Sequence, residues 1–411
     1  MSVEAPESKP LESELGEGES GRRIQDFSLV SGGPFYRFLR RLHLCDDASE
    51  LLSSRVIVIS LFAWLPMLIL ALVQGNLLGD DVSIPFLLDF KVHARFLVAM
   101  PLLLAAEVLV QQRMSDVVDQ FPARNLVPEA SVAQFESAIS SVSRLRDAAF
   151  VEASLFALVY SLDMFVIWRG YLAPEVTTWY ATTSALGTEL SPAGMWYFFI
   201  GLPLLQFLFL RWYYRLFLWA RFLWQVSRIR LNLLATHPDR VAGLGFLSNT
   251  VNALITLALA HGALLAGHIA DLVLYRGAEL RQFGPEIVAV VVLVQCIVFM
   301  PLLVFAGQIM RTRWRGLMQY EALSSRYAYE FESTWLRGGV SPGQTLVGNG
   351  DLQSLADLDS GYQIVRGMGL VPVSWRAVLL LAVATLIPIA PLLLTVMPFR
   401  ELLGKVAGIL F

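Results

Sequence analysis

The sequence predicts an all-α fold: a polytopic transmembrane helix bundle of about seven spans with a small helical cytoplasmic cap. Three observations lead there. Of the 411 residues, 56% are hydrophobic and only 16% are charged, against about 45–50% and about 25% in an ordinary water-soluble chain. The apolar residues are gathered into blocks approaching the roughly 20 residues that a helix needs to cross a bilayer. The basic residues fall unevenly between the blocks: 24 of the 31 lie on alternate connections, the ones an N-inside topology places in the cytoplasm, as the positive-inside rule requires.

Residues 1–31 read as a disordered acidic tail. Glu4, Glu7, Glu12, Glu14, Glu17 and Glu19 crowd its first twenty positions without an apolar run. Such a stretch cannot offset its ordering entropy by burial, and it lacks the pattern of a cleavable signal peptide. Segment 32–55 holds Phe35, Tyr36, Arg37, Phe38, Arg40 and Arg41 at helical spacing. It is either an amphipathic helix on the cytoplasmic membrane surface or a helix packed against cytoplasmic loops.

The bundle occupies residues 56–398, with spans expected near 56–73, 96–110, 149–168, 195–216, 246–275, 287–305 and 377–397. The second is short and contains Glu107, but omitting it would put the arginine-rich connections on alternating sides. An apolar, then arginine-studded, stretch runs from Met195 to Leu234. As one helix it would be roughly 60 Å long against a hydrocarbon core of roughly 30 Å, so part of it must protrude or bend. Pro388 and Pro391 leave the last segment open between a span and a re-entrant loop. The N-terminus is placed inside and the C-terminus outside, where 399–411 forms a short amphipathic tail. Two cytoplasmic amphipathic helices, 130–148 and 311–337, are expected to pack as the cap. A Gly/Ser/Pro-containing loop at 338–350 leads to a further helix over 351–366.

Composition also excludes. A net charge of −3 offers nothing to nucleic acid, and Cys45 and Cys296 alone make neither a disulfide framework nor a thiolate metal site. No phosphate-binding loop, zinc-protease helix or nucleophile pattern is present, so no cofactor and no catalytic residue is assigned and the reading leans away from an enzyme.

Ionisable side chains inside spans are costly and therefore candidate functional groups. Glu107 and Glu152 fall at the inner end, His261 near the middle, and His268, Asp163 and Asp271 at the outer end. Together they suggest a proton or small-ion path, since imidazole changes charge near neutral pH and neighbouring carboxylates tune it; the plain alternative is a set of interhelical hydrogen bonds. His268 and Asp271, at i and i+3, are too few to assign a metal. Ala258, Gly262, Ala266 and Ala270 recur every fourth residue, a small-residue face suited to close helix packing or to a homo-oligomer contact.

Between two apolar helices lies the turn His237-Pro238-Asp239-Arg240-Val241-Ala242-Gly243-Leu244-Gly245-Phe246. Glycine N–H groups at Gly243 and Gly245, beside His237 and the arginines Arg228, Arg230 and Arg240, suit an anionic lipid head group. They suit equally a helical hairpin that needs glycine for its geometry. The string His237–Leu247, together with Gln353-Ser354-Leu355-Ala356-Asp357-Leu358, resembles a family of uncharacterised bacterial multi-pass inner-membrane proteins. In that family the arginine is followed by one residue and then Gly-Gly-Leu-Gly-Phe, so Ala242 stands here in the place of the first glycine. The resemblance implies a bacterial inner membrane and brings no activity with it. Three functional classes follow: transport or conduction of a proton or small ion, a non-transporting scaffold or sensor binding a partner or anionic lipid, and, with least support, a lipid-modifying enzyme.

Overall fold

The computed structural model describes residues 27–30, 32–41, 50–78, 82–168, 178–184, 187–337 and 350–396. The acidic residues 1–26, most of the 338–350 loop and the outer tail 399–411 lie outside the described residues. A short helix α1 (Gly33–Arg41) precedes α2 (Glu50–Val73). Next come α3 (Phe90–Ala123), α4 (Val132–Arg146), α5 (Ala149–Trp168) and a hairpin of β1 (Ala181–Ser184) and β2 (Gly187–Leu190). The second half holds α6 (Pro192–Val226), α7 (Thr250–Arg276), α8 (Gly284–Phe299), α9 (Ala306–Phe331), α10 (Gly350–Arg366) and α11 (Trp375–Leu386).

Among the described residues, six helical stretches are long and apolar enough to cross a membrane: Ser53–Val73, Phe90–Ala123, Pro192–Val226, Gly245–Arg276, Leu280–Leu336 and Trp375–Thr395. A seventh is counted if α4 and α5, bent by 46° where they meet, form one span. The protein is therefore an all-α polytopic membrane bundle.

Four expectations are corrected. The short second span is part of a 34-residue helix, because the polar turns after Val110 continue it beyond the apolar block. Helix α6 stops at Val226 rather than Leu234. The chain then turns, with Arg228 N–H donating to Gln225 O and Ile229 N–H to Val226 O, and Gln308 Nε2 donates to the carbonyls of Ser227 and Ile229, both at 2.7 Å. Asn232 N–H bonds to Leu126 O at 2.8 Å, which holds the following chain extended. The predicted tail does not run to residue 31 as a free segment, since Phe27, Ser28, Leu29 and Val30 are all buried. Finally, the two cap helices find different partners. Helix α4 packs on α6, with Tyr214 donating to Leu145 O at 2.7 Å, and α9 packs on α10, with Arg313 donating to Arg366 O at 2.9 Å.

Helix α7 sits between two close neighbours. A Cβ on Gly262 would lie 2.1 Å from Thr385 O of α11, and one on Gly267 would lie 2.5 Å from Ala94 Cβ of α3. Ala266 and Ala270 pack with Ile389 and Leu392 just beyond α11. The small-residue face is thus filled by the chain's own last helix, which leaves that stripe closed to a second copy. At the Phe90 end of α3, the hairpin region adds a cap the hydropathy pattern did not reveal. Trp179 is fully buried there, edge-on to Phe86, and donates to Asp89 Oδ2 at 2.8 Å.

Candidate functional site

Helix α6 carries the polar groups that join the bundle. Arg211 and Arg215 are four residues apart and so share a face; both are buried. They meet Glu107 of α3, only 2% exposed. Its Oε1 accepts from Arg211 Nη1 and Arg215 Nη1, each at 2.8 Å, and its Oε2 accepts from Arg55 Nη2 of α2 at 2.6 Å. Arg55 Nη2 also reaches Leu104 O at 3.1 Å. Glu152, at the start of α5, accepts from Arg211 Nε at 3.2 Å.

The N-terminal segment closes this cluster from one side. Phe35 N–H, in the first turn of α1, donates to Glu152 Oε2 at 2.7 Å, and its ring lies 4.8 Å from the Arg211 guanidinium carbon. Ahead of it, Arg146 donates to Ser28 O at 2.7 Å, and Gln111 Nε2 donates to Phe27 O at 3.3 Å. Phe27 then packs edge-on to Trp219 of α6, with ring centroids 6.4 Å apart.

Removing an ion from water costs several kcal/mol, and a buried ion pair offsets that only when its hydrogen bonds are complete. Here they are incomplete. Among the described residues the cluster holds three guanidinium groups and two carboxylates, and Arg215 Nη2 is buried without an acceptor. One turn further along α6, Trp219 Nε1 is likewise buried without one. Two orphaned donors therefore lie at i and i+4 of the same helix, beside a cluster rich in cations.

The remaining predicted path residues are dispersed. Asp163 of α5, also buried, accepts from Gln206 Nε2 at 2.9 Å, while its Oδ2 has no partner. His261 of α7 lies 2.7 Å from Leu257 O through Nδ1 and 2.7 Å from the Tyr213 hydroxyl through Nε2. A carbonyl only accepts, so Nδ1 carries the proton and Nε2 accepts from Tyr213. Both nitrogens of the neutral ring are thereby satisfied. His268 is exposed, in a separate outer group. Asp271 there has a buried oxygen without a hydrogen-bond partner, within electrostatic reach of Asp89, Lys91, Arg95 and Arg276. Glu107 and Glu152 are brought together, as expected, but by arginines rather than by a histidine. No group of three metal-ligating side chains occurs among the described residues.

In the turn, the expected anion-binding donors face an internal carboxylate. Asp239 accepts from Val241 N–H at 2.9 Å, Gly243 N–H at 3.1 Å and Gly245 N–H at 2.8 Å, with His237 Nδ1 2.9 Å away. Half-burial alone would raise the Asp239 pKa, but these three backbone donors hold it below the usual aspartate value. Arg240, Ala242 and Gly243 all have positive φ, at 57°, 61° and 95°. Ala242 thus occupies a left-handed position that glycine would fill without strain. Arg228, Arg230 and Arg240 remain exposed.

What sequence reasoning missed was the role of Arg55, Arg211 and Arg215, which were counted as topology charges. The available signal was the i, i+4 spacing of two arginines within an aromatic helix that also carries apolar residues on every side. No family model, no curated protein and no solved structure matches the chain. Fold and site together define its class: a multi-pass membrane helix bundle with a buried arginine–glutamate cluster.

Proposed function

We propose that the bundle transports or conducts a small ion, and that the ion is a monovalent anion received at Arg215. The observation that carries this reading is the Arg215 Nη2 donor, buried without an acceptor inside the arginine–glutamate cluster. Ionisable groups inside a membrane bundle are costly and mark substrate or ion pathways. An arriving anion supplies the missing acceptor. Trp219 Nε1, the neighbouring orphan, supplies a second donor. The proton path is less well supported, because His261 is saturated as a neutral ring and lies apart from His268. The bacterial inner membrane implied by the loop resemblance is the setting we assign.

A second reading, a fixed scaffold, draws on Glu107 and Glu152, whose four oxygens all accept hydrogen bonds. Flux in reconstituted vesicles separates the readings. Chloride or nitrate entry should fall at least tenfold with Arg215→Gln and stay within twofold of the parent with His261→Phe and with Asp163→Asn. Proton flux lost in those last two variants, with anion entry absent, would favour the proton path. No flux above protein-free vesicles would leave the scaffold.

A further inference from the structure

A groove of about 730 Å³ opens on the surface between α6 and α8. One wall is Tyr213, Phe217 and Trp224; the other is Leu293, Met300 and Val304. Its lining is apolar but for Tyr213, Cys296 and one charge, Arg221. Tyr213 and Trp224 are eleven residues apart, so the α6 wall is roughly 16 Å long. That length is about half of a hydrocarbon core of roughly 30 Å.

The charge lies at one end only. Helix α6 ends at Val226, and Arg221 is near that end, the cytoplasmic one by the distribution of basic residues. Arg221 Nη2 donates to Ser141 at 3.2 Å, but its Nε is buried without an acceptor. Arg228 follows just past the end of the helix, and its guanidinium lies 5.2 Å from the ring of Trp224, which lines the groove. Arg221, Trp224 and Arg228 form a cationic, aromatic group at the end of α6, a combination suited to a membrane–water interface.

We propose that this groove seats an anionic phospholipid of the cytoplasmic leaflet. One acyl chain lies along Tyr213–Trp224 and the phosphate is bound by Arg221 and Arg228. A second copy of the chain fits less well: a two-fold axis along the membrane normal would bring each Arg221 towards its symmetry mate at equal depth. The seat also touches the interior, since Tyr213, which lines it, bonds through its hydroxyl to His261 Nε2.

The test uses the full chain in a neutral detergent, with native mass spectrometry and thermal unfolding as readouts. Dioleoyl phosphatidylglycerol should be retained at one molecule per chain and raise Tm by several degrees. Dioleoyl phosphatidylcholine should be retained at least fivefold less. The Arg221→Gln/Arg228→Gln variant should lose that preference while its Tm without lipid stays near the parent's, and Ala220→Trp, which fills the groove, should retain neither lipid. A readout needing no groove variant is available because Cys296 lines the groove and is exposed. In a Cys45→Ser background, phosphatidylglycerol should slow its alkylation by N-ethylmaleimide, and phosphatidylcholine should not. Equal retention of the two lipids, an unchanged preference in the double arginine variant, or unprotected Cys296 would overturn the proposal. Protection by inorganic phosphate alone, or a dimer abolished by Ala220→Trp, would also overturn it, in favour of a free-ion site or a second copy.

Discussion

Glu107 gathers guanidinium groups from two helices onto one carboxylate. Glu107→Gln keeps the shape and removes the charge, leaving Arg55, Arg211 and Arg215 around a neutral amide. Breaking a buried pair in this way should cost about 3–5 kcal/mol, read as a large fall in Tm in detergent. A loss no greater than that of an exposed Glu→Gln control would mean that water already compensates the cluster. Asp239 makes a smaller and pH-dependent contribution. Its folded pKa is lowered, so its stabilisation is complete above the ordinary aspartate value of about 3.9 and is lost as pH falls below that. Asp239→Asn should cost about 1–2 kcal/mol at pH 7, allowing for solvent screening of a half-buried group. The gap between parent and variant should close in unfolding curves measured below pH 4. Of these two sites, the sequence made Glu107 conspicuous because a carboxylate inside an apolar block is rare. It could not assign its partners, because a count of arginines per connection does not distinguish a residue inside the bundle from one at the interface.

At the scale of helices, the small-residue register of α7 was readable as a packing face. Its partner was not, since α11 lies more than a hundred residues away and carries no matching pattern of small residues. Gly262→Leu drives a side chain into the Thr385 backbone, where even a Cβ would sit at 2.1 Å. Rigid backbone cannot give way as a side-chain tip can, so overpacking here should cost at least about 3 kcal/mol or prevent assembly. Size-exclusion profiles and Tm check it; a variant with parental behaviour would mean that α11 is free to move off α7. The outer hairpin was illegible for a different reason. Strands of four residues, Ala181–Ser184 and Gly187–Leu190, are too short to impose an alternating pattern, and what anchors the region is the isolated burial of Trp179.

Across the whole molecule, the contacts agree with helices that alternate in direction. The starts of α2 and α5 meet the later parts of α3 and α6 through Arg55, Glu152, Glu107, Arg211 and Arg215. The start of α3 meets the end of α7 through Lys91, Arg95 and Asp271. Alternation follows from the charge distribution, whereas the choice of which side is inside rests on that distribution alone. A reporter fused after Phe411 should be active only outside the cytoplasm, and one inserted at Gly348 only inside. A cytoplasmic signal from the Phe411 fusion would make the last apolar segment re-entrant and reduce the spans to six, the break at Ile387–Leu392 being where the chain would turn back.

The buried position of Phe27–Val30 bears on the order in which the protein can be completed. These residues are synthesised before any of the described helices, yet they bond to Gln111 and Arg146 and pack against Trp219. Their partners emerge from the ribosome about eighty to nearly two hundred residues later. Arg55, likewise, enters the membrane ahead of Glu107. The first part of the chain to be made is thus among the last to be finished, and a nascent chain halted before α6 holds Glu107 and Glu152 with neither Arg211 nor Arg215 to neutralise them. Insertion proceeds from the N-terminus, but closure of the bundle waits for α6.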